Sequence, residues 1–254
     1  MKTPRNLHAF TIVETLIVIA IIAGLGAVGI QSIKAGRLRA NQVQSVSNLR
    51  QLVAANLLYA SDFQTYCPAG EPKNQIRWHG GRASSSGPFD PEKGFLAEYL
   101  GRSRRVGICP EFSRHLSGDA SWENGSGGYG YNATYIGGMP GASFQPNRPA
   151  NVNNPSRTLM FATTAFAKGE GIQEYPFAEP RQSVNPRWET AGTLQPSVHF
   201  RFNGRALIAW CDGHVSEEIP NGGANENFYG GDNSSASIGF CGPAANNGWW
   251  NSRN

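Results

Sequence analysis

The stretch FTIVETLIVIAIIAGLGAVGI, residues 10–30, decides how the chain is organised. It is apolar along almost its whole length and is interrupted mainly by Thr11, Glu14 and Thr15. At about 1.5 Å per residue, about twenty helical residues cross a hydrocarbon layer of roughly 30 Å, whereas a buried strand needs only about four to eight. The length therefore predicts a single transmembrane helix over residues 10–30.

Three glycines in this stretch, Gly24, Gly26 and Gly29, have the spacing G-x-G-x-x-G of a dinucleotide-binding turn. Such a turn follows a short strand and needs an acidic residue about twenty positions further on. The chain has no Asp or Glu between Glu14 and Asp62, so we expect no nucleotide and no other cofactor. Small residues let membrane helices approach closely, and we predict a helix-packing face here. An ordinary anchor, in which the glycines have no role, is the alternative.

Glu14 is an acidic residue near the start of the predicted span. An ionised carboxylate costs about 2.5–3.5 kcal/mol at the centre of a bilayer, so its presence predicts a function and a cationic partner. The residues before the span, MKTPRNLHA, form a short polar leader over residues 1–9. A secretory signal peptide would end in a small-residue cleavage site after the apolar run, and small residues there leave this alternative open.

The segment HAFTIVETLIVIAIIAG, residues 8–24, resembles the prepilin signal of type IV pilins and type II secretion pseudopilins. In that family a peptidase cuts on the cytoplasmic side just before a Phe, and the apolar helix stays in the mature protein. The resemblance implies cleavage between Ala9 and Phe10, N-methylation of Phe10, and pairing of its new ammonium group with Glu14 of an adjacent subunit. Ala9 departs from the Gly that usually precedes the cut.

The same resemblance implies the partners and the location of the protein. The partners would be other pilins, the prepilin peptidase and methylase, and an inner-membrane assembly platform. The leader would lie in the cytoplasm, with a single membrane pass and a periplasmic C-terminal domain, and assembly would produce a periplasmic or cell-surface filament. The basic residues on the two sides of the span do not decide the orientation, because Lys2 and Arg5 oppose Lys34, Arg37 and Arg39.

Helical spacing of apolar residues continues after residue 30, at Ile33, Leu38, Val43, Val46, Leu49, Val53 and Leu57. This pattern predicts the amphipathic half of one long helix over residues 31–62. Two helices joined near Gly36 are the alternative. SNLRQLVAANLLYASDF, residues 47–63, resembles the corresponding region of pilin-like proteins of Planctomycetes and Verrucomicrobia.

Residues 63–254 are rich in Gly, Pro, Asn and Ser, which favours short strands and long loops. We therefore predict an α+β, pilin-like fold in which the long helix packs on a loop-rich antiparallel β-sheet domain. One short helix is expected over residues 90–101, with Asp90 as its N-cap and Pro91 in its first turn.

The segment SVHFRFNGRALIAWCDGHVSEEI, residues 197–219, contains two hairpin signals, Asn203-Gly204 and Asp212-Gly213. They predict a three-stranded meander over 197–202, 205–211 and 214–219, with Phe200 opposite Leu207. The segment also resembles the His-x9-Asp-Gly region of the same bacterial group. Asp212, Gly213 and His214 match that region, Phe202 stands where the His is expected, and His199 lies three positions earlier.

Four residues of this segment are suitable metal ligands or acid–base groups of an enzymatic site: His199, Asp212, His214 and Glu217. In the predicted meander Asp212 lies in a turn and His199 near the far end of the hairpin. We therefore expect no metal site and no enzyme.

The chain contains four cysteines, Cys67, Cys109, Cys211 and Cys241, all after the span. An oxidising compartment would permit disulfides in any of three pairings. Proximity along the chain suggests Cys67–Cys109 and Cys211–Cys241.

The net charge of +4 is mild, and the cluster Arg102, Arg104 and Arg105 is interpreted as a solvated loop, so nucleic acid is not an expected partner. Trp249 and Trp250 are expected in the core, with a subunit contact or carbohydrate binding as alternatives.

These observations predict a non-enzymatic structural subunit of a type IV pilus or a type II secretion pseudopilus. The alternatives are a singly anchored periplasmic protein that binds carbohydrate or another ligand, and an anchored hydrolase that uses His199, Asp212 or His214.

Overall fold

The computed structural model describes residues 12–84, 87–115, 123–138, 145–169, 171–182, 195–223, 227 and 230–254, and for residues 26–30 the backbone alone. The chain forms two compact units, Met1–Ala40 and Asn41–Asn254. We describe each unit by itself.

A single α-helix, α1, runs from Ile12 to Phe63. It is not interrupted near Gly36, so the alternative of two separate helices is wrong. The helix ends where Gln64 adopts a left-handed φ of 61°. The Gln64 amide donates to the Ala60 carbonyl at 2.9 Å, which satisfies one of the carbonyls that a helix end leaves without a partner.

Among the residues described, the second unit contains ten short strands, all paired in antiparallel ladders. They are β1 (Ile76–Arg77), β2 (Gly80–Gly81), β3 (Tyr129–Tyr131), β4 (Leu159–Thr163), β5 (Phe166–Lys168), β6 (Gly171–Gln173), β7 (Val198–His199), β8 (Ala206–Trp210), β9 (Val215–Glu218) and β10 (Ile238–Gly239). The main sheet has the order β3-β4-β8-β9, and β1-β2, β5-β6 and β7-β10 form separate pairs. The chain is therefore α+β, as the sequence predicts.

Short helical turns connect these strands. The 3-10 turns are Pro91–Lys93, Ala97–Tyr99, Gly101–Ser103, Phe112–Arg114, Pro149–Asn151, Pro155–Arg157 and Ala245–Trp250, and Ala133–Gly137 is a π-helical turn.

The two central strands of the main sheet, β4 and β8, are buried at every residue. Their sequences, LMFAT and ALIAW, are continuous apolar runs, as expected of strands covered on both faces. On one face they pack with Val198, Phe200 and Trp250. The Trp250 indole N–H donates to the Ala178 carbonyl at 2.9 Å, so this tryptophan belongs to the core, as expected.

The predicted meander forms only in part. β8 and β9 pair as expected, but a four-residue loop, residues 211–214, connects them. In this loop Gly213 has a φ of 96°, and its amide donates to the Trp210 carbonyl. Asn203-Gly204 forms the expected two-residue turn, with φ values of 52° and 75°. This first hairpin continues for a single bridge, Phe202 with Arg205.

The neighbour predicted for the strand before that turn is wrong. β7 pairs with β10 instead of β8, through His199 with Ile238 and Val198 with Gly239. The physical reason is that both edges of β8 are occupied, by β4 on one side and β9 on the other. Phe200 therefore does not lie opposite Leu207.

The short helix predicted over residues 90–101 is three separate 3-10 turns. Asp90 is the N-cap as predicted, because its side chain accepts from the Glu92 amide at 3.1 Å. Gly94 then leaves the helical region, with a φ of −75° and a ψ of 152°. A Cβ at Gly94 would lie 2.4 Å from the Gly80 nitrogen, so the close approach of two backbones prevents a continuous helix.

Candidate functional site

The predicted processing residues, Ala9 and Phe10, lie outside the described residues. Glu14 lies in the first turn of α1 and is exposed.

The N-terminal part of α1 presents an apolar surface to its surroundings. Nine large apolar side chains are between 48% and 81% exposed: Ile12, Val13, Leu16, Ile17, Val18, Ile19, Ile21, Ile22 and Leu25. Exposed apolar surface of this extent marks an interaction site. Within the residues that are described, no helix meets both the length and the apolar character needed to cross a bilayer. The predicted span, residues 10–30, extends at both ends beyond the described side chains.

The glycines of the predicted packing face are partly described. A Cβ at Gly24 would meet nothing within 4 Å, so the surface there is open. The surroundings of Gly26 and Gly29 lie outside the described side chains. Their role in packing against another helix stays a prediction.

The C-terminal part of α1 is fixed to the sheets by a face rich in amide side chains. We call this the docking face and define it by its buried or half-buried residues, Asn41, Ser45, Asn48, Leu49, Leu52, Val53, Asn56 and Ala60. These residues recur every three or four positions, which places them on one side of the helix.

Asn56 lies at the centre of a buried hydrogen-bond network of the docking face. It is fully buried, its Nδ2 donates to the Tyr131 hydroxyl at 2.9 Å, and its Oδ1 accepts from the Cys67 amide at 2.8 Å. The Tyr131 hydroxyl donates in turn to the Cys67 carbonyl at 3.0 Å. Because a buried polar group without a partner costs about 1–3 kcal/mol, this set of bonds selects one rotation of the helix.

Two more amides hold the helix nearer to Ala40. Asn41 Nδ2 donates to Glu111 Oε2 at 2.9 Å. Asn48 Nδ2 lies 3.2 Å from the Ile108 carbonyl and 3.1 Å from the Tyr129 hydroxyl oxygen. The helix is thereby attached to β3 and to the loop before it.

The apolar pattern of residues 31–62 indicated only part of this face. Leu49 and Val53 are buried, but Val43 is 64% exposed and Leu57 is 37% exposed. The docking residues that sequence analysis missed are the polar ones. The helical spacing was read from apolar residues alone, so Asn and Ser did not contribute to it. Their recurrence every three or four residues was the available signal.

The Asp-Gly-His region is a structured turn. Asp212 Oδ1 lies 2.6 Å from His214 Nδ1 and also accepts from the His214 amide at 3.1 Å. The His214 ring stacks on Trp210 with a centroid distance of 5.5 Å. Phe202, which stands at the position of the His in the His-x9-Asp-Gly pattern, is buried.

His199 is separate from this turn. It is buried in β7, and no hydrogen bond or ring contact joins it to Asp212 or His214 in the described part of the chain. Among the described residues, no three His, Cys, Asp or Glu side chains converge as metal ligands would.

The four cysteines are buried free thiols, so the two predicted disulfides are wrong. Cys109 accepts from Ser45 Oγ at 3.1 Å, whereas the Cys67 amide binds Asn56. Ser45 and Asn56 are about 16 Å apart along α1, so Cys109 and Cys67 lie beside distant points of the helix. A disulfide requires Cα atoms within about 7 Å. Proximity along the chain therefore does not indicate which cysteines are close in the fold. Burial raises the pKa of Cys211 to about 12, which keeps this thiol protonated.

The arginines of the basic cluster, Arg102, Arg104 and Arg105, are all exposed. Trp249 is half-buried and packs edge-on against Trp210, with ring centroids 5.2 Å apart.

Comparison with known proteins supports a pilin-like relationship for this chain. Over 62 residues it is 44% identical to the type IV wide pilus major component PilA4 of Thermus thermophilus. The match covers 24% of this chain and 47% of that protein, so the chain spans about half the length of the curated relative it matches. That relative is a component of a pilus and not an enzyme, in agreement with the expected structural role. No family model matches the chain, and no solved structure matches it.

Proposed function

We propose that the chain is a pilin or pseudopilin subunit of a type IV pilus or a type II secretion pseudopilus. A prepilin peptidase removes residues 1–9, a methylase modifies Phe10, and an inner-membrane platform assembles the processed subunit with other pilins. Before assembly the subunit is a single-pass protein of the cytoplasmic membrane with a periplasmic C-terminal domain.

The observation that carries this proposal is the division of α1. Between Ile12 and Leu25 the helix exposes large apolar side chains, and from Asn41 onward a polar face fixes it to a folded domain. Apolar surface can be covered by lipid before assembly and by neighbouring helices afterwards, with little change in free energy. The match to a pilus component supports the same role.

Glu14 has a specific task in this proposal. Its carboxylate pairs with the methylated ammonium group of Phe10 from an adjacent subunit. A charge buried in apolar surroundings is strongly unfavourable unless it is paired, so the pair favours one register between neighbouring helices. Subunits that add in this way form an open helical filament, because a head-to-tail interface of this kind does not close.

The test is the substitution Glu14→Gln, with Glu98→Gln as the control at an exposed acidic residue of the domain. Filaments are sheared from cells, and the subunit is quantified in the sheared and membrane fractions. We expect Glu14→Gln to reach the membrane at normal levels and to fall at least about tenfold in the filament fraction, which corresponds to about 1.4 kcal/mol. Glu98→Gln should behave as the unchanged protein. Normal incorporation of Glu14→Gln would refute the pairing.

A further inference from the structure

A cleft of about 490 Å³ lies in the second unit, away from α1. The β5–β6 hairpin, the segment from His199 to Gly204 and the loop around Asp232 and Ser235 form its walls, and His115 lies at its edge. Nothing in the proposed pilin function uses this cleft.

A buried arginine, Arg201, contributes to the lining of the cleft. It is 6% exposed, and its guanidinium lies 4.4 Å from the centre of the Phe112 ring. Nη2 donates to the Gly128 and Thr164 carbonyls at 3.0 and 2.6 Å. Nε and Nη1 have no hydrogen-bond partner among the described residues.

The positive charge of Arg201 also lacks a paired carboxylate. No ion pair among the described residues includes it. The buried carboxyl of Glu174 interacts with Arg201 through its charge but does not pair with it, because its Oε2 accepts from the Gly125 and Gly127 amides at 2.9 Å each. A buried cation that is not paired at close range with a carboxylate is costly, so the guanidinium favours a further anion nearby.

A second unsatisfied group lies beside the arginine. His199 is 2% exposed, lines the cleft, and its Nδ1 has no partner among the described residues. Its ring lies 5.5 Å from the ring of His115, which is exposed at the edge of the cleft. Two residues that are more than nine-tenths buried therefore supply unpaired nitrogens at the same cleft.

We propose that this cleft binds a small polyhydroxylated molecule that carries an oxyanion, such as a sugar acid or a sugar phosphate. The oxyanion is attracted by Arg201 and accepts a hydrogen bond from His199. The unpaired nitrogens of Arg201 and His199 are shielded from water in this conformation. In the proposed complex, the exposed His115 side chain therefore turns aside to admit the ligand. Three exposed polar residues of the lining, Asn203, Asp232 and Ser235, suit the hydroxyl groups.

The experiment is calorimetric titration of the full chain in a detergent without sugar groups. The probes are glucuronate, glucose 6-phosphate, glucose and inorganic phosphate. We expect the two anionic sugars to bind at least about tenfold more tightly than either glucose or inorganic phosphate, a difference of about 1.4 kcal/mol. Of the two, the tighter binder identifies whether the natural oxyanion is a carboxylate or a phosphate.

Three variants locate the binding. His199→Gln removes the imidazole, and Ala236→Phe fills the cleft from its rim while leaving the buried groups unchanged. Each should weaken glucuronate and glucose 6-phosphate at least about tenfold, whereas the exposed arginine variant Arg157→Gln should bind normally. The proposal is overturned if neither anionic sugar binds at about 10 mM, if glucose or phosphate binds equally well, or if folded Ala236→Phe binds normally.

Discussion

At the scale of single residues, His79 shows how burial sets the charge state of a side chain. It is 1% exposed, and neither ring nitrogen has a hydrogen-bond partner among the described residues. Burial, followed by the charges of Arg77 and Arg82, lowers the pKa of His79 well below its usual range. The imidazole is therefore neutral in the folded protein at pH values where the unfolded chain takes up a proton.

This difference predicts that acid destabilises the domain through His79. As the pH falls below the unfolded pKa of about 6.5, the unfolded state gains a proton that the folded state does not, at a cost of up to about 1.4 kcal/mol per pH unit. His79→Phe removes this contribution, so thermal unfolding at a series of pH values should show a shallower loss of stability toward acid.

Glu179 acts in the opposite direction, because burial raises the pKa of that carboxyl. Glu179 is present in both His79→Phe and the unchanged protein, so its contribution cancels when their pH dependences are compared. An identical pH dependence in the two proteins would show that His79 does not contribute.

At the scale of elements, α1 and its docking face illustrate what a sequence pattern can supply. The length of the apolar run and the helical spacing predict a long helix, and α1 extends from Ile12 to Phe63. The rotation of the helix is set by Asn56 and Asn48, whose partners Tyr131 and Tyr129 are distant in the chain. An apolar period indicates the helix but not these polar contacts.

The strands show the same difference: the sequence predicts a turn from its own residues, but it does not predict which distant strand pairs with a given one. Asn203-Gly204 forms its turn because both residues tolerate a positive φ, which is a local property. The neighbour of β7 is β10, whose residues lie about forty positions further on, and no local signal specifies it. The candidate cleft was missed for the same reason, since Arg201 and His115 come together only in the fold.

The docking face yields a stability prediction. Asn56→Ala leaves the Cys67 amide without its acceptor and removes the donor to Tyr131, so the free energy of unfolding should fall by about 2–4 kcal/mol. Gln51→Ala, at an exposed position of the same helix, should change it by less than about 0.5 kcal/mol. Chemical denaturation monitored by circular dichroism measures both. Equal stabilities of the two variants would contradict the role assigned to Asn56.

At the scale of the whole molecule, the chain combines an apolar helical segment with an α+β domain whose sheets are short. The apolar side chains from Ile12 to Leu25 are not needed by the core of that domain, which forms around β4 and β8. The proposed pilin function requires this combination, because in that function the apolar segment must remain available to lipid and then to other subunits. The related pilus component is consistent with it over the part that matches.

We propose that the apolar helix is kept in the mature protein and enters a filament with Phe10 at its N-terminus. Mass spectrometry of the subunit recovered from sheared filaments tests this most directly. We expect a chain that begins with N-methylated Phe10 and retains residues 10–30. A chain that begins with Met1, or one from which residues 10–30 have been removed, would contradict it.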